Sequence, residues 1–471
     1  MRCYIVAALS VWGAGCTQLP TVQAPVMPVA ASYKEAQAST AALTAETAQP
    51  SQDWWLLFND AELNGLQQRL IANSPDLASA LARYRQAQAA TAQLRATELP
   101  TLTTSLNVQR DRQSERRPLR VLGPTSPNDY NSATLGFDLE YEIDLWGRVR
   151  EQVNAGVAEE KAARADLAAA RLSLQATLTD SLIALRGFDE EATMLNDTMA
   201  AYSRAVDMIN RRHDEGIASG LDVARVQAQL QSARSQVQQV QAQRAVMEHA
   251  IAALVGANAS SFSIAPRVVP AVTPAIPLGV PSALLQRRPD IAAAQLRVAA
   301  AGAKVGVAQA SFFPALTLSA LGGFQSSDMA KFISMPNLFW AVGPTLATSL
   351  FDGGRRKAQV AGAEAVLDEA GQRYRMTVLG AFQQVEDQLA LLNHYGEAAK
   401  EESLGALAAQ RALDLADIRY KQGAVSYLDV IVAQTNALQA QRSKRDLNTR
   451  QRRAAVQLVR ALGGGWSVTA E

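Results

Sequence analysis

Histidine and cysteine are almost missing from this chain, with three and two copies in 471 residues. His213, His249 and His394 lie far apart, and none falls at metal-ligand spacing from a Cys, an Asp or another His on a helix, so no metal centre is expected. No GxGxxG, P-loop or GxSxG arrangement occurs, and the Gly463 to Gly465 run suits a helix stop better than a phosphate cradle. Neither catalysis nor a cofactor is expected. Aromatic residues make up only 6%, the formal net charge is +1, and no basic run is interleaved with aromatics, which argues against a nucleic-acid partner. Beyond the N-terminus no apolar run reaches the ~18 residues of a membrane-crossing helix, so none is expected.

What the chain has instead is long stretches without breakers, and it has them twice. Hydrophobic content is 48%, much of it Ala, and Gln, Arg, Asp and Glu fill the uninterrupted segments, a composition that suits extended helices. The stretch RHDEGIASGLDV at Arg212 to Val223 returns as RYKQGAVSYLDV at Arg419 to Val430. Gly216 recurs as Gly423 (423 − 216 = 207), and the pairs Ser219/Ser426, Leu221/Leu428, Asp222/Asp429 and Val223/Val430 keep that offset. Gly and Ser suit a tight bend, and Asp at the start of a helix accepts from first-turn N–H groups, so each copy reads as the turn of an αα-hairpin. A second offset runs earlier: Pro75-Asp76 returns as Pro289-Asp290 (289 − 75 = 214), with Arg83/Arg297 and Pro100/Pro314 at the same spacing. The chain is therefore mainly α, in two tandem repeats of helix, strand, strand, long helix, turn and helix.

Arg2, the apolar run Cys3 to Trp12, and the small residues Gly13, Ala14 and Gly15 before Cys16 form an export signal. It resembles a bacterial lipoprotein signal, which implies removal of residues 1–15 and acylation of Cys16; Thr17 after that Cys resembles outer-membrane sorting. Loss of the signal leaves Cys16 as the only cysteine, so no intrachain disulfide is expected. Residues 16–50, rich in Ala, Pro, Thr and Gln, read as a flexible tether. Residues 51–256 hold the first repeat, with strands at about 100–110 and 132–144 and a tip at about 212–222. A proline-punctuated linker covers 257–282. The second repeat covers 283–465, with strands at about 314–324 and 338–350 and a tip at about 419–429, and 466–471 form a C-terminal tail. On the helix after the first tip, Val223, Val226, Leu230, Ala233, Val237, Val240, Arg244, Met247, Ile251 and Leu254 follow steps of three and four, a coiled-coil seam with one charged member.

Four strands cannot close a membrane barrel, which begins at about eight, and open edges in lipid leave backbone groups unsatisfied. Other copies must complete them: two chains would supply eight strands and three would supply twelve. A helix of about 67 residues spans about 100 Å, more than three times the hydrocarbon thickness of a bilayer, so such helices must project away from it. Asp138, Glu140, Glu142 and Asp144 alternate with Leu135, Phe137, Leu139, Tyr141 and Ile143, and four carboxylates per copy on one face need water. They predict a lumen-lining, cation-favouring row. The other reading, the solvated face of a soluble sheet, requires a hydrophobic cover that the chain does not supply.

Trp54, Trp55 and Phe58, the DLWGR run at Asp144 to Arg148, RRPDI at Arg287 to Ile291, FDGGR at Phe351 to Arg355 and the two tips together resemble the TolC/OprM class of outer-membrane efflux proteins, most closely the NodT-like lipoprotein branch serving resistance-nodulation-division pumps. The resemblance covers about residues 50–465. It implies a homotrimer with a twelve-stranded β-barrel in outer-membrane lipid and a long periplasmic α-helical barrel. It also implies that closed helical tips open like an iris when a periplasmic adaptor and an inner-membrane pump engage, the channel itself being passive.

In that frame Asp414 and Asp417, with Asp207 as the counterpart of Asp414, suggest an acidic ring at a closed aperture, and Arg212, Arg419 and Tyr420 supply polar links between tips. A surface helix with an Asp417 to Lys421 pair is the plainer account of the same residues. Gly216 and Gly423 serve the bends, while Ser219, Leu221, Asp222, Ser426, Leu428 and Asp429 form the expected adaptor-docking surface. A periplasmic adaptor with long coiled-coil hairpins is the main competing class, and it would lack paired alternating strands. A cytoplasmic scaffold conflicts with the export signal, and the same channel serving metal efflux or type I protein secretion is not separable by sequence.

Overall fold

The computed structural model describes residues 25, 27–28, 30–36, 51–114, 128–269 and 272–466. The Cys16 site and much of the expected tether lie outside them. In chain order the main elements are α1 (Ala61–Asn73), α2 (Pro75–Ala96), β1 (Thr101–Arg112), β2 (Asp129–Ile143), α3 (Arg148–Asp214), α4 (Gly220–Leu254), α5 (Pro289–Ala310), β3 (Ala315–Ser326), β4 (Leu338–Ala347), α6 (Arg355–Lys421) and α7 (Tyr427–Ala461). The repeat is kept to the residue in four of its elements. α2 and α5 both have 22 residues, β1 and β3 both have 12, α3 and α6 both have 67, and α4 and α7 both have 35.

Local chemistry sets the boundaries. Asp60 opens α1 by accepting from Glu62 N at 2.9 Å, and Pro75 opens α2 at a position where its missing N–H costs nothing. Asp144 accepts from Val149 N and Arg150 N at 3.1 and 2.9 Å at the start of α3, while Asp352 accepts from Gly354 N and Arg356 N at the start of α6. The sequence placed Asp144 in the strand, but β2 ends at Ile143 and Asp144 is spent on the helix start. Similarly, β4 stops at Ala347, three residues short of the expected end.

The chain divides into two compact units. One holds Arg85–Ala162 and Ala294–Tyr374; the other holds Val26–Tyr84, Ala163–Ala293 and Arg375–Glu471.

The first unit contains a four-stranded antiparallel sheet in the order β1-β2-β3-β4. Its register sets Leu106 opposite Leu135, Leu135 opposite Phe324 and Phe324 opposite Leu338; likewise Leu102 faces Leu139, Leu139 faces Ala320 and Ala320 faces Val342. Residues directly opposite share a face. One face is thus apolar across all four strands, and Leu102, Leu106, Val108, Phe137, Trp340, Val342 and Leu346 on it are exposed. The other face carries Thr101, Glu140 and Ser319 in one row and Thr103, Asp138 and Leu321 in the next. Gly136 and Gly323 pair across β2 and β3, where a Cβ on Gly323 would stand 2.0 Å from the Leu135 carbonyl oxygen, so only glycine permits that strand approach.

The second unit holds most of the core. Of the expected seam, Val226, Leu230, Ala233, Val237, Val240 and Ile251 are buried. Leu195 packs on Val237 and Val240, and Tyr202 on Leu230 and Ala233. The charged seam member Arg244 is explained by its partners: it donates to Asp189 at 2.6 Å and to the Ile264 carbonyl at 2.6 Å. Asp189 also accepts from Arg186 at 3.0 Å and from Arg267 N at 3.1 Å, so a nearly fully buried carboxylate is satisfied. Arg288 of the RRPDI run binds Asp290 through two nitrogens and donates to Gln384 and to the Ala461 carbonyl, tying the start of α5 to α6 and α7.

One expectation needs correction. Residues 16–50 were expected to be without order throughout, yet Tyr33 is buried, Lys34 N and Glu35 N donate to the two oxygens of Glu386 at 2.9 and 3.0 Å, and Asn393 donates to the Glu35 carbonyl. One aromatic ring and one carboxylate taking two successive N–H groups suffice to seat this turn on α6. By length and composition alone α5 would reach across a bilayer, a test that the core helix of a folded protein also passes. Its Ala residues, with a few Val, Ile and Leu, raise its hydropathy, while Asp290, Arg297 and Lys304 interrupt any apolar run.

Candidate functional site at the helical tips

Both tips belong to the second unit and are built alike. At the first, Gly216 has φ +73 and the N–H of Ile217 reaches back to the Arg212 carbonyl at 2.7 Å, closing the end of α3 in a left-handed turn. At the second, Gly423 has φ +74, and Ala424 N bonds to the Arg419 carbonyl at 2.9 Å. Asp222 accepts from Ser219 Oγ at 2.7 Å while Ser219 Oγ accepts from Asp222 N at 3.2 Å, a capping box. Asp429 repeats the arrangement, accepting from Ser426 N at 2.9 Å and Ser426 Oγ at 2.8 Å. These four polar side chains are thus engaged in starting α4 and α7. Leu221 and Leu428 are exposed at the tips, as is Ile217, among charged neighbours that include Asp214, Glu215 and Lys421.

The two tips of one chain share a core of Ile209, Val226, Tyr420, Tyr427 and Val430, with Val223, Leu413 and Ala416 packed against it. Tyr420 and Tyr427 meet edge to face with centroids 5.2 Å apart, and the Arg212 guanidinium carbon lies 5.1 Å from the Tyr420 centroid. Burial raises the pKa of both phenols, so both stay neutral at physiological pH. The structure brings together Arg212 and Tyr420 of the six expected aperture residues. Asp417 pairs with Lys421 at 2.5 Å, Asp414 accepts from Gln410 at 3.0 Å, and Asp207 and Arg419 are exposed. Leu415 and Ile418, beside these acids, are exposed, and the packed stripe runs through Leu413, Ala416 and Tyr420.

Tyr427 was missed by sequence reasoning. Its signal was a departure from the repeat: at the 207 offset Tyr420 stands where the first copy has His213, and Tyr427 where it has Gly220 (427 − 220 = 207). The second tip therefore brings two rings that the first lacks.

In the first unit the acidic row splits in two. Asp138 and Glu140 are exposed on the polar face of β2. Glu142 is held by Arg148 at 2.8 and 2.5 Å, and Asp144 by the N–H groups at the start of α3 and by Arg150 Nε at 3.2 Å. Close by, Trp146 stacks on Phe313 at 4.9 Å and donates Nε1 to the Pro314 carbonyl at 2.8 Å, which gives the Trp of DLWGR a structural task.

Comparison with known proteins places this architecture. The model of the family described as outer membrane efflux protein matches residues 66–257 and again residues 280–464, one match per repeat. Outer membrane protein OprJ of Pseudomonas aeruginosa is 31% identical over 456 residues, covering 96% of this chain and 93% of that protein. The pyoverdine export outer membrane protein OpmQ of the same species is 32% identical over 418 residues, covering 88% and 87%. Among solved structures, the outer-membrane channel OprN superposes with a TM-score of 0.85 at 30% identity over 95% of this chain and 100% of that one. The outer membrane protein VceC of Vibrio cholerae gives 0.80 at 29% identity over 88% and 99%. Matched once in each repeat and across nearly its whole folded length, the chain belongs to the outer membrane efflux protein family.

Proposed function

We propose that this protein is the outer-membrane channel of a tripartite efflux system, giving passive exit to substrates handed over by an inner-membrane pump of the resistance-nodulation-division type through a periplasmic adaptor. The observation that carries the reading is a four-stranded sheet with one exposed apolar face, one polar face and two free edges, within a chain of the outer membrane efflux protein family. In water such a face is a liability, and in lipid the two edges must be paired. Three copies closing a twelve-stranded barrel meet both demands, with Asp138 and Glu140 toward the lumen. Cys16, acylated, adds a lipid anchor.

The tips are the moving part of this proposal. Arg212, Tyr420 and Tyr427 latch the two hairpins of one chain, while Asp207, Asp414, Asp417 and Arg419 present charge toward the aperture and neighbouring copies. Leu221 and Leu428 offer the adaptor its apolar contacts, held in place by the capping carboxylates behind them. The decisive experiment is fractionation of expressing cells followed by gel electrophoresis without boiling. An outer-membrane, heat-modifiable trimer that conducts ions in planar bilayers is the expected result, and a soluble monomer would remove the proposal.

A further inference from the structure

The strand-to-helix junctions of the first unit expose large apolar side chains that neither the sheet nor the helices cover. Leu350 and Phe351, between β4 and α6, are 95% and 90% exposed, and Leu99, between α2 and β1, is 66% exposed. Among the described residues of one copy nothing covers them.

The free sheet edges say what meets them. Strand directions alternate through β1-β2-β3-β4, so β4 of one copy meets β1 of the next antiparallel. The 10 residues of β4 fit wholly alongside the 12 of β1 in only three registers, with Ala347 opposite Thr101, Leu102 or Thr103. Opposed residues share a face, and the even-numbered residues of both strands form the apolar one: Leu102, Leu106 and Val108 in β1, with Leu338, Trp340, Val342 and Leu346 in β4. Placing Ala347 opposite Leu102 would mix the faces and is excluded. In the two registers left, the chain leaving β4 runs beside the chain entering β1 of the neighbour, setting either Phe351 or Ser349 level with Leu99. In both, Phe351 stands within two residues of Leu99, about 7 Å along a strand.

We propose that Leu350 and Phe351 of one copy pack against Leu99 of the adjacent copy, forming an apolar plug at the end of each seam between copies. The inference rests on the barrel-closure reading above and adds to it the side chains that finish the seam. The partner is a second copy of this chain: the three exposed residues come level only through the register that joins the copies. The plug keeps water from the last backbone pair of the ladder, where the strands give way to helices and the edge is otherwise open.

Paired cysteines in the full-length chain, expressed in an outer membrane, test it. Leu99→Cys with Phe351→Cys and Leu99→Cys with Ser349→Cys probe the plug; Thr103→Cys with Ala347→Cys and Thr101→Cys with Ala347→Cys probe the strands. Each single variant controls for the native cysteines. After oxidation or treatment with a short bismaleimide, at least one plug pair and one strand pair are expected to give covalent dimers and trimers on boiled gels. A linked strand pair with neither plug pair linked would overturn the plug and leave the closed barrel standing, with Leu350 and Phe351 then meeting lipid. Failure of both strand pairs as well would overturn the closure reading and the plug with it. As a second readout, Phe351→Ser should lower the temperature at which unboiled trimers dissociate and Phe351→Leu should restore it, whereas Met376→Ser, at an exposed apolar site on α6, should leave it unchanged. No shift for Phe351→Ser would also overturn the plug.

Discussion

Arg212 lies over the ring of Tyr420, its guanidinium carbon 5.1 Å from the centroid, and so joins the end of the first long helix to the end of the second. The contact sits on a core in which Tyr420 also meets Tyr427. If it helps keep the hairpins shut, Tyr420→Ala, removing a buried aromatic at a cost of about 3 kcal/mol, should raise single-channel conductance or vancomycin uptake. Replacing Asp417 and Tyr420 together by Ala should raise them further. Arg212→Ala, worth about 0.5–1 kcal/mol, should have a smaller effect in the same direction, and Tyr420→Phe, which keeps the ring, almost none. Unchanged uptake in the double variant would reject the latch.

The tip surface separates into two sets of residues with different expected failures. Ser219→Ala or Ser426→Ala removes half of a capping box and should cost about 1 kcal/mol of stability. Leu221→Glu and Leu428→Glu alter exposed side chains and should change stability by no more than about 0.5 kcal/mol while abolishing efflux and adaptor cross-linking. Efflux retained in the combined Leu variant would move the docking surface elsewhere.

The acidic row should also divide under mutation. Neutralising Asp138 and Glu140, exposed on the polar face, should reduce cation selectivity in planar bilayers without changing heat stability. Glu142→Gln should instead lower heat stability, because Arg148 loses a carboxylate held at 2.5 and 2.8 Å. Equal effects on selectivity from all four positions would restore the undivided row.

Much of this was legible in the sequence because the repeat reports on itself. The 207 offset located both tips, period-two alternation found the first pair of strands and the 214 offset pointed to the second, and steps of three and four found the α4 seam, even though Arg244 interrupts it. What was not legible depends on contacts between residues far apart in sequence. Asp144 looks the same whether it ends a strand or begins a helix; the backbone turn at Gly147 decides. Arg244 in an apolar seam is explained only by distant partners, Asp189 and the Ile264 carbonyl, and the Tyr420–Tyr427 pair gains its partner Arg212 only once the two hairpins touch. Tyr33 sits in a stretch whose composition matches a tether, and a single aromatic there gives no periodic signal.

Glu190 and Arg452 form a buried pair that is poorly matched, with the closest approach at 3.6 Å and Nε of Arg452 lacking a partner. Burial raises the Glu190 carboxyl above the usual carboxylate range, against the pull of Arg452, and lowers the Arg452 guanidinium. Because the folded pKa of Glu190 lies above the unfolded one, its contribution is full below the ordinary glutamate value and is lost as pH rises through the folded pKa. Arg452→Met alone should therefore cost about 3 kcal/mol at neutral pH, less in mild acid, and adding Glu190→Gln should recover most of it. Unfolding followed by circular dichroism across that pH range checks the sign; a loss larger in acid would contradict it.

Glu386 gives the N-terminal strap a direct assay. Its two oxygens accept from consecutive backbone N–H groups, Lys34 and Glu35, while the Lys34 side chain is exposed and open to trypsin. Cleavage after Lys34 needs the turn to leave α6, so its rate reports the population of that opening rather than exposure of the side chain. Glu386→Gln keeps the volume but replaces one accepting oxygen with a donor, which faces an N–H and forms no bond. At about 1.5 kcal/mol, the lower end for a lost bond to a charged group, cleavage after Lys34 should accelerate at least about tenfold. Tyr33→Ala should do at least as much, since it removes the buried ring that seats the turn. Cleavage at arginines within the long helices should stay at the wild-type rate in both variants, and a uniform acceleration would indicate global unfolding in place of a released strap.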